Sequence, residues 1–232
     1  MKKLCTILAR GGSKGVPNKN IRDLGGKPLI TYTIASAQSS GFFDEIAVSS
    51  DSREILKVAA DHGVQTLIER PAALATDQAP KLPAIQHCAQ EAEKRKTVLY
   101  DIICDLDPTS PFRSKEDIAQ CLHLIENAGV SNVITGATAR KSPYFNLVEV
   151  DKNGFAKLSH PSLVTRRQDA PLCYDMNASI YVWRRASLMG AQSVFQEHTV
   201  LYEMPRERSL EIDTELDFEI VSALVERKGS IR

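Results

Sequence analysis

Apolar positions follow two alternating patterns through the first 136 residues. Short apolar runs at Leu4–Ala9, Glu45–Ser49, Val64–Ile68, Ile102–Leu106 and Val130–Gly136 predict buried strands. Between them the period lengthens to that of a helix. Pro28–Ser39 opens on a proline suited to a first turn and is followed by Gly41. Ser50, Asp51 and Ser52 offer caps for a helix reaching His62 and closed by Gly63. Leu82, Ile85, Ala89 and Ala92 mark one face of a third helix, which ends in the charged run Glu91–Lys96. Ser114 and Asp117 resemble a capping box that opens a fourth helix to Asn127, with Gly129 behind it. This alternation predicts right-handed crossovers, hence an α/β fold: a mostly parallel sheet flanked by helices.

The pattern breaks over 137–175. Phe145–Val150 and Phe155–Leu158 flank Asp151-Lys152-Asn153-Gly154, a hairpin turn. A hairpin inserted here predicts either a lid or a contact between subunits. Ala178–Trp183 and Val200–Met204 read as further strands. A closing helix from Thr214 to Arg227 is expected to turn Leu216, Ile220, Leu224 and Val225 inward. No repeat or linker divides the chain, so 1–232 reads as one domain with an excursion.

Composition narrows the partners. The 29 basic and 29 acidic residues leave no net charge, which argues against a general nucleic-acid binder. With 43% apolar residues in 232, a core forms without metal or disulfide staples. Cys5, Cys88, Cys104, Cys121 and Cys173 include no C-x-x-C and predict small buried hydrophobes in a reducing compartment. The five histidines have no ligand spacing, so no zinc site is expected. The apolar run after Lys2-Lys3 is too short for a signal peptide, and no run approaches membrane-spanning length. The expectation is a cytoplasmic protein without membrane or nucleic-acid partners.

Ligands of open α/β sheets sit at the carboxyl ends of the strands. After the first strand come Arg10, Gly11, Gly12, Ser13, Lys14, Gly15, Lys19 and Asn20. Glycines let the backbone approach a ligand with its N–H groups inward, and three fixed cations add charge, which suits a polyphosphate. The competing reading is a tight turn with solvated cations. The loop is neither a Walker A sequence nor G-x-G-x-x-G. It does match the G-x-S-x-G of serine hydrolases, but that elbow needs earlier strands and an oxyanion loop, and only ten residues precede Gly11. Late in the chain, Glu211 and Asp213 fall on one side of an extended segment. Such a pair suits Mg²⁺ bound with phosphate oxygens; the alternative is that Asp213 caps the last helix. Arg70, at a strand end, could add a cation, and Arg166-Arg167 could clamp a carboxylate.

Five ordered motifs extend the argument. Leu8-Ala9-Arg10-Gly11-Gly12-Ser13-Lys14-Gly15-Val16-Pro17-Asn18-Lys19-Asn20 resembles the signature of the CMP-sialic acid synthetases, the acylneuraminate cytidylyltransferases. Val48-Ser49-Ser50-Asp51 is similar to that family's V-S-T-D, and Arg70-Pro71 with Leu74-Ala75-Thr76-Asp77 to its R-P-x-x-L-A-x-D. Pro108–Arg113 resembles P-T-S-P-L-R, and Ile212–Asp217 resembles I-D-T-E-x-D. The resemblance implies a nucleotide-diphospho-sugar-transferase-like fold and transfer of CMP from CTP to a nine-carbon 2-keto sugar acid, with Mg²⁺ and release of pyrophosphate. By position it implies that Arg10, Gly11, Gly12, Ser13, Lys14, Lys19, Asn20 and Arg70 bind the nucleotide, with Lys14, Lys19 and Asp213 catalytic. Glu211 and Asp213 would hold the metal, and Asp107, Thr109, Arg167, Asp175 and Asn177 would meet the sugar. Lys81 falls where the family often has a small polar residue near cytosine. The hairpin excursion would make a homodimer.

Three departures bear on the substrate. Glu211 stands where the bacterial sialic acid enzymes have aspartate, Asp107 replaces a glutamine, and Asp175 replaces an arginine. Two anions in place of an amide and a cation point to a 5,7-diamino relative of the legionaminic type. The rivals are a cytidylyltransferase for the eight-carbon acid of lipopolysaccharide and a non-catalytic CTP-binding protein.

Overall fold

The computed structural model describes residues 1–127 and 129–228; residue 128 and the last four positions of the expected domain lie outside them. The chain enters through β1 (Lys3–Leu8), a small hairpin of β2 (Asp23–Leu24) and β3 (Lys27–Pro28), α1 (Leu29–Ser40), β4 (Glu45–Ser50) and α2 (Arg53–Asp61). It continues through β5 (Thr66–Glu69), α3 (Lys81–Lys96), β6 (Ile102–Leu106), α4 (Lys115–Glu126) and β7 (Asn132–Thr138). The expected hairpin follows as β8 (Val148–Val150) and β9 (Ala156–Leu158). Then come β10 (Tyr174–Arg184), α5 (Arg185–Gly190), β11 (Thr199–Glu203) and α6 (Glu215–Lys228).

Caps mark the boundaries where the sequence placed them. Ser52 accepts from the Ile55 N–H, Ser114 and Asp117 form a reciprocal capping box, and Gly41 ends α1 with φ of 70°. The seven-stranded main sheet runs β11-β7-β10-β6-β1-β4-β5. All its pairs are parallel except those of β10, which lies between β6 and β7 and is antiparallel to both.

The period-two alternation of β1 divides the core. Cys5 and Ile7 face α1, α2 and α4, while Leu4 faces α3 and α5. A third cluster lies off the sheet, where Val16, Phe112 and Ile212 pack with Leu24, Leu29, Phe218, Val221 and Val225. These first three residues belong to three separate loops, so one apolar contact gathers the loops that carry the candidate chemistry.

One expectation holds for Val225 and partly for Leu224 but fails for Leu216 and Ile220. α6 buries Phe218, Val221 and Val225, whereas Leu216 is 63% exposed and Ile220 45%. Apolar residues occupy more than one helical stripe here, and packing against the Val16–Ile212 cluster selects the stripe that includes the aromatic ring.

Candidate active site

The site lies at the carboxyl ends of β1, β5 and β6, in a cavity of about 370 Å³. Arg10, Ser13, Lys19, Asn20, Arg70, Asp107, Thr109, Glu211 and Asp213 all line it. A shallower recess beside it is lined by Gly12, Ser13 and Lys14 with Thr76 and Asp77. Thus the nucleotide and metal positions expected from sequence converge, apart from Gly11, which sits at the loop's root.

The glycine loop is fastened at both ends. The Gly11 N–H donates to Asp51 Oδ1 at 2.9 Å, and Asn20 Nδ2 donates to the Arg10 carbonyl at 3.0 Å. A Cβ on Gly11 would lie 3.0 Å from the Ser52 Cβ, and one on Gly15 would collide with the Asp213 carbonyl. Gly12, by contrast, faces open space. The glycines therefore serve two purposes: Gly11 and Gly15 let the loop approach protein, and Gly12 leaves room in front of it. Asn20 Oδ1 is buried with no protein partner among the described residues, an acceptor on the cavity wall.

Asp77 bridges two cations of the glycine loop. Its carboxylate accepts from Arg10 Nη1 at 2.5 Å and Lys14 Nζ at 2.7 Å, and these bonds hold its pKa below the usual range. Arg70 is buried; it donates through Nε to Ser49 Oγ at 3.2 Å and through Nη2 to the Ser49 carbonyl at 2.7 Å. Lys19 donates to the Ile212 carbonyl and lies 3.5 Å from Asp213 Oδ1. The Asp213 side chain is 77% exposed and does not cap α6. Thr214 and Asp217 do so reciprocally, each accepting from the other's backbone N–H. Glu211 Oε1 accepts from the Ala178 N–H at 2.7 Å. Burial pushes the Glu211 carboxyl up, and nearby Asp107 and Asp213 add to the rise against the Ala178 bond.

On the cavity floor Lys81 Nζ lies 2.9 Å from Asp105 Oδ2, 2.8 Å from Asp107 Oδ2 and 4.8 Å from the centre of the Tyr181 ring. Burial alone would push Asp107 up, but Lys81 and the bonds from Thr109 bring it to about 2. Burial pushes Asp105 up, opposed by the same lysine. The extra negative charge expected of Asp107 is therefore balanced inside the protein.

The cytidylyltransferase family matches residues 4–228. The chain belongs to that family. It is 43% identical over 226 residues to a CMP-N,N'-diacetyllegionaminic acid synthase of Campylobacter jejuni, covering 97% of this chain and 96% of the relative. It is 42% identical, with the same coverage, to the post-translational flagellin modification protein B of Campylobacter coli. Among solved structures, a CMP:2-keto-3-deoxy-manno-octonic acid synthetase complexed with CTP superposes with a TM-score of 0.70 at 19% identity, covering 98% of this chain and all of that one. That likeness establishes the fold. The cytidylyltransferase assignment makes this chain a nucleotidyltransferase.

The expected sugar positions of this cytidylyltransferase divide. Asp175, Asn177 and Glu211 border a second cavity, of about 180 Å³, and Glu211 also lines the first. Asn177 is engaged within the fold: its Oδ1 accepts from Thr135 Oγ1 at 2.5 Å and from the Ser179 N–H at 3.2 Å. Arg167 lines neither cavity and donates to the Ala139 and Arg140 carbonyls at 3.4 and 3.3 Å. Thr109 reaches the first cavity with its hydroxyl donated to Asp107 Oδ1 at 2.8 Å. Residue-type reasoning missed the partnership of Lys81 with Asp105. The only signal was a lone aspartate in an otherwise apolar strand, a buried charge that requires a counter-ion.

Proposed function

We propose that this cytidylyltransferase transfers CMP from CTP to the anomeric hydroxyl of a nine-carbon 2-keto sugar acid. One observation carries the reading: a single cavity joins the cations Arg10 and Lys19 to the carboxylates Glu211 and Asp213. Phosphoryl transfer requires positioning and electrostatic stabilisation above all. Arg10, Lys14 and Lys19 supply fixed positive charge for the triphosphate, and Asp77 already holds two of them where an anion fits. Asn20 Oδ1 offers the unfilled acceptor for a nucleoside hydroxyl. The sugar oxygen forms a bond to the α-phosphorus as the bond to the pyrophosphate oxygen breaks, and the hydroxyl proton leaves to solvent.

Glu211 and Asp213 would hold Mg²⁺. The fit rests on two carboxylates lining one cavity, Glu211 being pushed up mainly by burial, with Asp107 and Asp213 adding negative charge beside it that a divalent cation relieves. No group of three or more potential metal-binding side chains occurs among the described residues. Two carboxylates completed by substrate oxygens match what Mg²⁺ takes. Bound there, the ion would neutralise charge on the phosphate oxygens.

The preferred acid is a 5,7-diamino nonulosonic acid of the legionaminic type, in line with the relative at 43% identity. Two chains form the working unit, joined by the excursion, which leaves Leu163, Phe155, Val150 and Leu172 exposed. Five unpaired cysteines suit the cytoplasm, and no described helix is long and apolar enough to cross a membrane.

The test is CTP-dependent pyrophosphate release with legionaminic, pseudaminic, sialic and eight-carbon keto acids. The legionaminic acid should give the highest kcat/KM. A clear preference for sialic acid removes the substrate assignment, and release with none of them leaves a non-catalytic CTP-binding protein. Asp213→Asn should lose at least about 100-fold in turnover, the scale of one electrostatic contact to the transition state, while still binding CTP. Wild-type turnover in that variant would overturn the metal-seat assignment.

A further inference from the structure

We infer that Arg206, and not Arg167, is the cation that receives the carboxylate of the sugar acid. The assignment rests on the proposed reaction. In a 2-keto sugar acid the carboxylate is attached to the same carbon that bears the attacking hydroxyl. If that hydroxyl meets the α-phosphate beside Glu211 and Asp213, the carboxylate must lie in the space adjoining Glu211. The 180 Å³ cavity is that space, because Glu211 borders both it and the nucleotide cavity.

Among the described residues Arg206 is the only cation on its wall; Asp175 and Glu211 are the anions there. Two carboxylates would repel an acid, so a cation beside them decides whether the acid enters. Asp175 Oδ2 accepts from the Arg140 N–H at 3.3 Å, and Glu211 from Ala178, but neither carboxylate has an ion-pair partner among the described residues.

The turn that carries Arg206 is already ordered. The Met204 N–H donates to the Gly136 carbonyl at 2.7 Å, and the Arg208 N–H to the Pro205 carbonyl at 3.0 Å. Arg208 itself is held by Asp117 through bonds of 2.8 and 2.9 Å. Between these anchors the Arg206 guanidinium is exposed and makes no hydrogen bond or ion pair among the described residues. It is a bidentate carboxylate donor on a fixed backbone with its donors unused. Arg167 already donates to two carbonyls outside the cavity.

Steady-state kinetics at saturating CTP, with the sugar acid varied, test the inference on wild type, Arg206→Leu, Arg206→Lys and Arg167→Leu. Thermal unfolding checks that each variant folds. R206L should raise KM for the sugar acid at least tenfold, with kcat within threefold and KM for CTP unchanged. R206K should recover part of the loss, and R167L should shift KM less than R206L. A KM within twofold of wild type in R206L, or a larger effect in R167L, overturns the assignment while pyrophosphate release by wild type keeps the reaction itself intact. A wild-type enzyme that releases no pyrophosphate removes both.

Discussion

At Gly15 the loop backbone passes so close to the Asp213 carbonyl that a single methyl group cannot be accommodated. The contact matters because it sets the distance between the cationic loop and the acidic segment. Gly15→Ala should therefore lose about 100-fold in turnover, the order expected when reacting groups shift by an ångström, with the fold retained by circular dichroism. Activity near wild type would mean that the loop can move aside without consequence. The acidic pair and the glycine loop were legible as residue types at plausible strand ends. Its internal bonds were not. Asp77 clamps Arg10 and Lys14 across 67 and 63 positions of sequence, a pairing no spacing rule reports. Likewise, whether Asp213 or Thr214 caps α6 depends on which side chain points back at the first turn, and the hydrogen bonds from Thr214 and Asp217 decide it.

α3 and β6 meet at the Lys81–Asp105–Asp107 row, and neither element reveals that row on its own. From the resemblance Lys81 falls only at a position near cytosine, yet it balances two carboxylates on a neighbouring strand end. Lys81→Met should destabilise the protein by about 3 kcal/mol, the lower end for breaking a buried pair since the lysine is partly exposed. The pH dependence has a definite sign. Asp107, held at about 2 in the fold against about 3.9 in the unfolded chain, contributes stability above about pH 4 that is lost as pH falls toward 2. Asp105, pushed up by burial, runs the other way and is favoured at low pH. Without Lys81 both carboxylates are costly when charged, so the difference in Tm between wild type and variant should shrink as pH falls from 7 to 4. A constant difference in thermal scans over that range would show that the row contributes no ion pairing. In α6 the apolar stripe was misread because Leu216 and Ile220 offer an equally good helical period; only the surface opposite the helix selects Phe218, Val221 and Val225.

Across the whole molecule, the excursion between β7 and β10 presents apolar side chains that none of the described residues covers. If a second copy covers them, Phe155→Glu with Leu163→Arg should convert a sedimenting dimer into a monomer with its own fold intact. A wild-type monomer at micromolar concentration would remove the dimer reading. The excursion also ends in β10, whose eleven residues enter the sheet between β6 and β7. That insertion brings Asp175 and Asn177 to one cavity and Tyr181 to the other site's floor.

The sequence alone determined the alternating elements, the cationic glycine loop, the paired late carboxylates and the hairpin, because these are local: periodicity, capping chemistry and neighbouring residue types suffice. Strand order, the Lys81 row, the buried position of Arg70 and the neighbourhood of Arg206 were decided only in three dimensions. Each depends on which distant segments share one packed surface. The cluster joining Val16, Phe112 and Ile212 settles that by burying three loops' apolar residues together.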